Sequence, residues 1–125
     1  MEAIQASQQI NLVVTRIIQE LGVPANIRGY KYLREAILLA FHNPEVIHSM
    51  LKTLYPQVAR SFNTTPAKVE SGIRHAVNLA WNCGNMEAMC LDIKSPVYKL
   101  KYKPTATQII AMIVDWLQLH IDNEQ

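Results

Sequence analysis

The sequence predicts an all-α domain of about six helices that contains a helix-turn-helix. Hydrophobic residues recur at helical spacing along most of the 125 residues. Proline, glycine, asparagine and threonine stand where helices would begin or end, and the only candidate strand is Val97–Tyr102. Half of the residues are hydrophobic, which suffices for one core at this length. We therefore expect a single domain over residues 1–125.

The first two predicted helices each carry one apolar face. The first ends at Gly22 and Pro24, which break the helical pattern. Its apolar face contains Ile10, Val13, Val14, Ile17, Ile18 and Leu21. The second helix runs from about Gly29 to His42. Its inward residues are Tyr32, Leu33, Ile37 and either Ala40 or Phe41.

A third predicted helix follows at once. Pro44 suits the first turn of a helix, where its missing N–H costs no hydrogen bond, and Asn43 is a suitable cap. We expect this helix to end before Tyr55.

The centre of the chain has the pattern of a helix-turn-helix. A short helix over about Tyr55–Phe62 precedes the turn residues 63–65, and Pro66 then opens a longer helix that reaches about Asn82. Thr65 is the expected cap of that helix, and Gly84 is the expected C-terminal stop. In proteins with this arrangement, the second helix enters the major groove of DNA.

The last third is predicted to contain a short helix, an irregular stretch and a final helix. The short helix covers Met86–Leu91, and Ser95–Pro104 is irregular and basic. The final helix covers Gln108–Ile121, and either Thr105 or Thr107 starts it. Its predicted apolar face contains Ile109, Met112, Ile113, Trp116, Leu117 and His120.

The helix that Pro66 opens has two distinct faces at 100° per residue. The inward face carries Val69, Ile73, Ala76, Val77 and Ala80. The outward face carries Ala67, Lys68, Ser71, His75 and Asn78, with Arg74 at its flank, Glu70 to one side and Leu79 near its edge. Small residues and hydrogen-bond donors suit a helix that reads base edges. Ordinary solvated side chains are the alternative interpretation.

Two backbone features add to this DNA interpretation. The amides beside the Thr65 cap are free to meet a phosphate. Gly72, in the middle of the helix, lowers helix propensity by about 1 kcal/mol relative to alanine. We interpret it as permitting a close approach, such as to a groove wall.

Positive charge is concentrated in the middle of the chain. Residues 52–103 contain eight basic and three acidic residues, a net charge of +5, whereas the remainder carries −3. Such a distribution indicates a polyanionic partner, although a solvated surface would also explain it. Lys99, Lys101 and Lys103 precede the final helix, and we expect phosphate contacts from some of them; a solvated basic loop is the alternative.

Several function classes lack support in the sequence. His42, His48, His75 and His120 are scattered, and no phosphate-binding loop, nucleophile motif or carboxylate pair accompanies them. We expect no catalytic activity, cofactor or metal. The two cysteines, Cys83 and Cys90, match no zinc spacing and are expected to be reduced thiols.

No signal peptide or membrane-length apolar run occurs, so we expect a cytoplasmic protein without membrane contact. A helical protein-interaction module without DNA binding is the competing class. Such a module needs an exposed apolar groove, whereas the outward face of the Pro66 helix is polar and basic.

Several runs of residues, in one order, carry a resemblance to a known family. Within the central motif they are Phe62–Thr65, Val69-Glu70, Ile73–Ala76 and Ala80-Trp81; outside it they are Leu21–Ala25, Gly29-Tyr30, Tyr32–Ile37, Leu54–Pro56 and Lys103–Thr105. Together they resemble the effector domains of stage zero sporulation protein A, the response regulator that begins endospore formation. The resemblance covers about residues 10–121.

The resemblance implies a six-helix effector domain that binds a short promoter box in double-stranded DNA as a tandem or dimeric arrangement. It implies activation of some genes and repression of others. It also implies contact with the sigma subunit of RNA polymerase around Asn85–Leu91, a segment that diverges here. In this family, phosphorylation of a preceding receiver domain controls the effector. We find no phosphoacceptor site and expect either a fragment of a longer regulator or a stand-alone effector.

The resemblance also implies which residues contact DNA. The matching positions are Lys68, Glu70, Ser71, Arg74 and His75. The family usually has arginine where Lys68 stands and Arg-Ala where Ser71-Gly72 stand. Lysine lacks the bidentate fork of arginine, and serine cannot grip guanine O6 and N7 together. We therefore expect a different or weaker sequence preference, with binding to the DNA backbone retained.

Overall fold

The computed structural model describes residues 2–121, with side chains from residue 8 onward, and its regular secondary structure within this part is entirely helical. The six α-helices are α1 (Glu2–Leu21), α2 (Arg28–His42), α3 (Tyr55–Ser61), α4 (Pro66–Asn82), α5 (Met86–Met89) and α6 (Ala106–His120). A 3₁₀ helix (Pro44–Ser49) and a π-helical segment (Met50–Leu54) connect α2 to α3. The all-α prediction with six helices is therefore confirmed.

Helix α2 lies at the centre and packs against α1, α3, α4 and α6. Its Ala36, Ile37 and Ala40 are fully buried. Fully buried side chains surround it, including Val14, Ile18 and Leu21 of α1 and Ile109, Ile110, Ile113 and Leu117 of α6. Each large aliphatic side chain contributes about 1.5–3 kcal/mol when it is buried. The described helices include none that is long and apolar enough to cross a membrane.

The end of α1 forms as predicted and supports the far end of α4. Gly22 adopts a left-handed φ of 90°, and the Val23 amide donates to the Ile18 carbonyl at 3.3 Å, which closes the helix terminus. The Asn85 amide then donates to the Leu21 carbonyl at 2.9 Å. Gly84 leaves room for this approach, because a Cβ there would lie 2.7 Å from the Leu21 carbonyl oxygen.

The segment between α2 and α3 differs from the predicted third helix. Pro44 does open a helical segment, but its hydrogen bonds are of the 3₁₀ and then the π type. No turn separates it from α3, because Leu54 has right-handed helical angles (φ −70°, ψ −52°). Val46, Met50 and Leu54 are all buried, so the segment follows the core surface at the expense of regular α-helical bonding.

The candidate strand Val97–Tyr102 is wrong, and the prediction that Ser95–Pro104 is irregular is confirmed. Val97 is fully buried, and its amide donates to Ser95 Oγ at 3.0 Å, which anchors a series of turns. Lys99 has a φ of 76°, incompatible with a strand, and its amide donates to the Cys90 carbonyl at 2.9 Å. Helix α5 is also shorter than predicted and ends at Met89.

The final helix begins after Thr105, which resolves the two predicted starts. Thr105 Oγ1 accepts from the Gln108 amide at 3.1 Å, and Gln108 Oε1 accepts from the Thr105 amide at 2.9 Å, a capping box. The inward placement of His120 is wrong: the ring is exposed and stacks on Trp116 at 4.3 Å. Because α6 packs against α2, α4 and the 3₁₀ helix, its buried face is broader and includes Ile110 and Val114.

Candidate nucleic-acid interface

Helices α3 and α4 form the predicted helix-turn-helix, joined by residues 62–65. Asn63 adopts a left-handed φ of 54°, which asparagine tolerates better than most residues. The Thr64 amide returns to the Ala59 carbonyl at 3.0 Å and closes α3. The ring of Phe62 meets Tyr32 of α2 edge-on at 5.4 Å, so the turn is attached to the central helix.

The start of α4 is formed as its sequence predicts. Thr65 has an extended backbone, and its Oγ1 accepts from the Lys68 amide at 3.2 Å. Pro66 occupies the first turn, where it needs no N–H partner. The Thr65 side chain is exposed.

The inward face of α4 is the predicted one: Val69, Ile73, Ala76, Val77 and Ala80 are all buried. The opposite face therefore points to solvent. Lys68, Ser71, Arg74 and His75 are exposed, while Glu70 and Asn78 are half-buried. An amphipathic helix held by one apolar face thus presents donors along the other.

Two local interactions shape the chemistry of this outward face. Arg74 Nη1 lies 4.0 Å from Glu70 Oε2, and the Arg74 side chain is 63% exposed. A solvent-exposed pair at this distance is weak, about 0–1 kcal/mol, so it does not immobilise Arg74. Ser71 Oγ donates to the Lys68 carbonyl at 3.3 Å, which leaves its oxygen lone pairs, rather than its proton, facing outward.

Gly72 serves the packing of α4 rather than a groove wall, which corrects the sequence-based interpretation. A Cβ at Gly72 would lie 3.6 Å from the Cα of Gly29 and 2.8 Å from the Tyr32 ring. A Cβ at Gly29 would overlap the Gly72 carbonyl oxygen. The two glycines let α2 and α4 cross at close range, and this crossing holds the outward face in place.

Of the three lysines before α6, Lys103 has a hydrogen bond to α4. Its Nζ donates to Asn78 Oδ1 at 2.8 Å. Lys99 Nζ lies 5.9 Å from the centre of the Tyr98 ring, and Lys101 is exposed. The sequence places these lysines on one basic segment, but the attachment of Lys103 to Asn78 depends on tertiary structure.

A cleft of about 380 Å³ lies where α3, α4 and the start of α6 meet. Its lining residues are Tyr55, Glu70, Arg74, Val77, Asn78, Lys103, Pro104, Thr105, Ala106 and Thr107. Burial, and secondarily the Glu70 carboxylate, raise the pKa of Tyr55, while Arg74 partly opposes this shift. The phenol therefore remains protonated at neutral pH. Sequence reasoning missed Tyr55, because a tyrosine at a helix start gives no signal beyond that of a core residue.

The described residues contain no group of three or more histidine, cysteine, aspartate or glutamate side chains placed to hold a metal ion. Cys83 is exposed and unpaired with another cysteine. Cys90 is buried, its Sγ donates to the Met86 carbonyl at 3.2 Å, and burial raises the pKa of its thiol. Neither thiol belongs to the α4 surface.

Over residues 14–117 the sequence matches the protein family described as sporulation initiation factor Spo0A C terminal. The match begins within α1, ends within α6 and includes everything between these two helices. It therefore contains the helix-turn-helix, the basic segment and the cleft.

Proposed function

Because the chain belongs to the sporulation initiation factor Spo0A C-terminal family, we propose that it is a regulator of sporulation genes that binds double-stranded DNA sequence-specifically. It is not an enzyme: its family is that of a regulatory domain. In this proposal, the domain binds a promoter box and activates or represses transcription from there. It acts as one effector unit over residues 1–125.

The single observation that carries the proposal is the exposed polar face of α4. The major groove admits an α-helix, and base edges there are read by side chains with donors and acceptors. Lys68, Arg74 and His75 supply donors on this face, while Glu70 supplies an acceptor suited to the cytosine amino group. Thr65 lies at the helix start, where backbone amides favour a phosphate.

The basic segment supports the same function electrostatically. Residues 52–103 carry a net charge of +5 and include α3, α4 and the lysines before α6. Lys99, Lys101 and Lys103 are exposed and available to phosphates. Ser71, which is exposed, and Asn78, which is hydrogen-bonded to Lys103, complete the proposed set of DNA-binding residues.

We infer that the sequence preference is weaker than, or different from, that of relatives with arginines on this helix. Lys68 offers a point charge, without the two parallel donors of arginine. Ser71 is short, and its hydroxyl proton is already donated to the Lys68 carbonyl. Backbone contacts do not depend on these two side chains, so affinity for DNA in general is retained.

Two protein partners belong to the proposal. A second copy of the chain binds beside the first in a tandem or dimeric arrangement on DNA. The sigma subunit of RNA polymerase contacts the surface around α5. Large apolar side chains support a protein contact there, because Leu91 is 85% exposed and Ile93 is 74% exposed directly after α5.

A selection of duplexes from a random pool by the purified chain, followed by fluorescence anisotropy at several salt concentrations, tests the function. We expect an enriched sequence motif and salt-dependent binding. The doubly neutralised variant Lys68→Gln/Arg74→Gln should lose the motif, and Lys31→Gln, whose exposed lysine lies on α2, should keep it. Absence of binding to any duplex at low salt would contradict the proposal and favour a protein-interaction module.

A further inference from the structure

The start of α6 has free hydrogen-bond donors on the wall of the cleft. The capping box occupies the amides of Thr105 and Gln108. Ala106 and Thr107, the first two residues of α6, line the cleft, and no group among the described residues accepts a hydrogen bond from their amides. The N-terminus of a 15-residue helix also carries a partial positive charge.

An unpaired phenol, independent of this helix terminus, faces the same cleft. Tyr55 is only 4% exposed and lines the cleft, yet its hydroxyl has no hydrogen-bond partner within residues 8–121. No fully buried polar side-chain atom in that part of the chain lacks a partner. The Tyr55 hydroxyl therefore contacts the solvent in the cleft. Although the rest of the side chain is buried, this hydroxyl can donate a hydrogen bond to a ligand that enters the cleft.

The charged groups around the cleft favour an anion. Lys103 gives one of its three donors to Asn78 and keeps two. Arg74 and Glu70 also lie on the rim and form the 4.0 Å pair. Glu70 and Arg74 carry opposite charges, so Lys103 gives the lining of the cleft a net charge of +1.

We propose that this cleft is a phosphate-binding site, with Tyr55, Lys103 and the amides of Ala106 and Thr107 as its donors. Asn78 is a positioning residue that holds Lys103. The occupant that the surroundings favour is a backbone phosphate of DNA. The cleft lies on the flank of α4 that carries Arg74 and Asn78, beside the exposed face. This choice of occupant rests on the proposed function, whereas the affinity of the cleft for phosphate does not.

The first experiment titrates the full chain with inorganic phosphate, at ionic strength held constant with chloride, and follows its backbone amides by NMR. We expect the Ala106 and Thr107 amides to shift. Tyr55→Phe should weaken this binding about two- to tenfold, and Lys103→Gln about tenfold or more, because hydrogen bonds to charged groups are the stronger ones. Tyr102→Phe and Lys94→Gln are the matched controls, since both side chains are exposed and neither lines the cleft.

The second experiment identifies the source of the phosphate. Duplexes in which one phosphate at a time is replaced by an uncharged methylphosphonate are compared for affinity. We expect the affinity of the wild-type protein to fall about tenfold at one position, the size of one charge-assisted hydrogen bond. The affinities of Tyr55→Phe and Lys103→Gln should not change when that phosphate is replaced. A merely structural role of these residues would not produce this loss of sensitivity.

The outcomes separate the two proposals. If inorganic phosphate shifts the two amides but no methylphosphonate position lowers the affinity for DNA, the site exists and its ligand is a free phosphate. If no duplex binds at all, the proposed function fails and the phosphate titration alone decides. If inorganic phosphate shifts neither the Ala106 nor the Thr107 amide and no methylphosphonate position lowers the affinity, the proposed phosphate site is wrong.

Discussion

At the scale of single residues, small side chains determine how α4, the second helix of the helix-turn-helix, packs on the domain. Gly29 and Gly72 face one another where α2 crosses α4, but their surroundings differ. A methyl group at Gly29 would meet backbone, whereas one at Gly72 would meet the ring of Tyr32. A side chain can rotate away and backbone cannot, so the two positions should respond differently to the same change.

Gly29→Ala should lower the free energy of unfolding by about 1–3 kcal/mol, because overlap with backbone outweighs the ~1 kcal/mol gain in helix propensity. Gly72→Ala is the matched control and should change stability by less than about 1 kcal/mol, since the Tyr32 ring can shift. Urea unfolding of both variants measures this. Equal decreases in stability at the two glycines would contradict the explanation.

Ser71 provides a residue-scale test of sequence preference. Ser71→Arg should increase discrimination between a selected guanine-containing box and scrambled DNA by about 1–3 kcal/mol, because arginine can contact guanine O6 and N7 together. Anisotropy at fixed salt measures both affinities, and Ser71→Ala is the control that adds no donor. The same discrimination in Ser71→Arg and wild type would mean that position 71 does not contact bases.

At the scale of elements, the helix termini explain why α4 and α6 start where they do. Both begin after a threonine whose hydroxyl accepts an amide three residues on, Thr65 for α4 and Thr105 for α6. These bonds satisfy amides that lack a partner within the helix. The connection from α2 to α3 has no such cap, since neither Asn43 nor Ser49 makes a side-chain cap bond, and it departs from α-helical geometry.

Thr65→Ala should destabilise the domain by about 1 kcal/mol, because the Lys68 amide then has no acceptor. Thr65→Ser keeps the hydroxyl and should retain most of the stability. Thermal unfolding of the two variants at one pH gives the comparison. A destabilisation in Thr65→Ser as large as that in Thr65→Ala would show that the methyl group matters more than the cap.

At the scale of the whole molecule, the apolar core and the positive charge occupy different parts of the fold. The core collects around α2, and the basic residues of 52–103 are exposed on the π-helical segment, on α3 and α4, and between α5 and α6. Long-range attraction to DNA should therefore depend on the charge of +5 on residues 52–103 rather than on the net charge of +2 of the whole chain.

The salt dependence of DNA binding tests this arrangement. Lys99→Gln/Lys101→Gln should reduce the slope of log affinity against log salt by about 0.9 for each phosphate that the variant no longer neutralises. Lys31→Gln removes a charge from α2 and should leave the slope unchanged. An equal reduction in both variants would indicate that only total charge matters.

The sequence by itself determined the features that depend on neighbours a few residues away. The bounds of α4, its Thr65 cap and its five buried residues follow from helical periodicity and from the backbone amides of one turn. The exposure of Lys68, Ser71, Arg74 and His75 follows as well, because burying one face of a helix exposes the other.

Only the tertiary structure decided which of these faces meet. The Lys103–Asn78 bond, the Gly29–Gly72 crossing and the place of Tyr55 in the cleft join residues that are distant in the sequence, on elements whose packing no local pattern encodes. The same reason explains why the candidate strand at Val97 does not form and why the predicted inward placement of His120 is wrong. Burial of Val97 comes from turns anchored on α5, and the broad contact of α6 buries Ile110 and Val114 while leaving His120 in solvent. The periodicity of the sequence shows which positions are apolar or polar. Which element packs against each position depends on the tertiary structure.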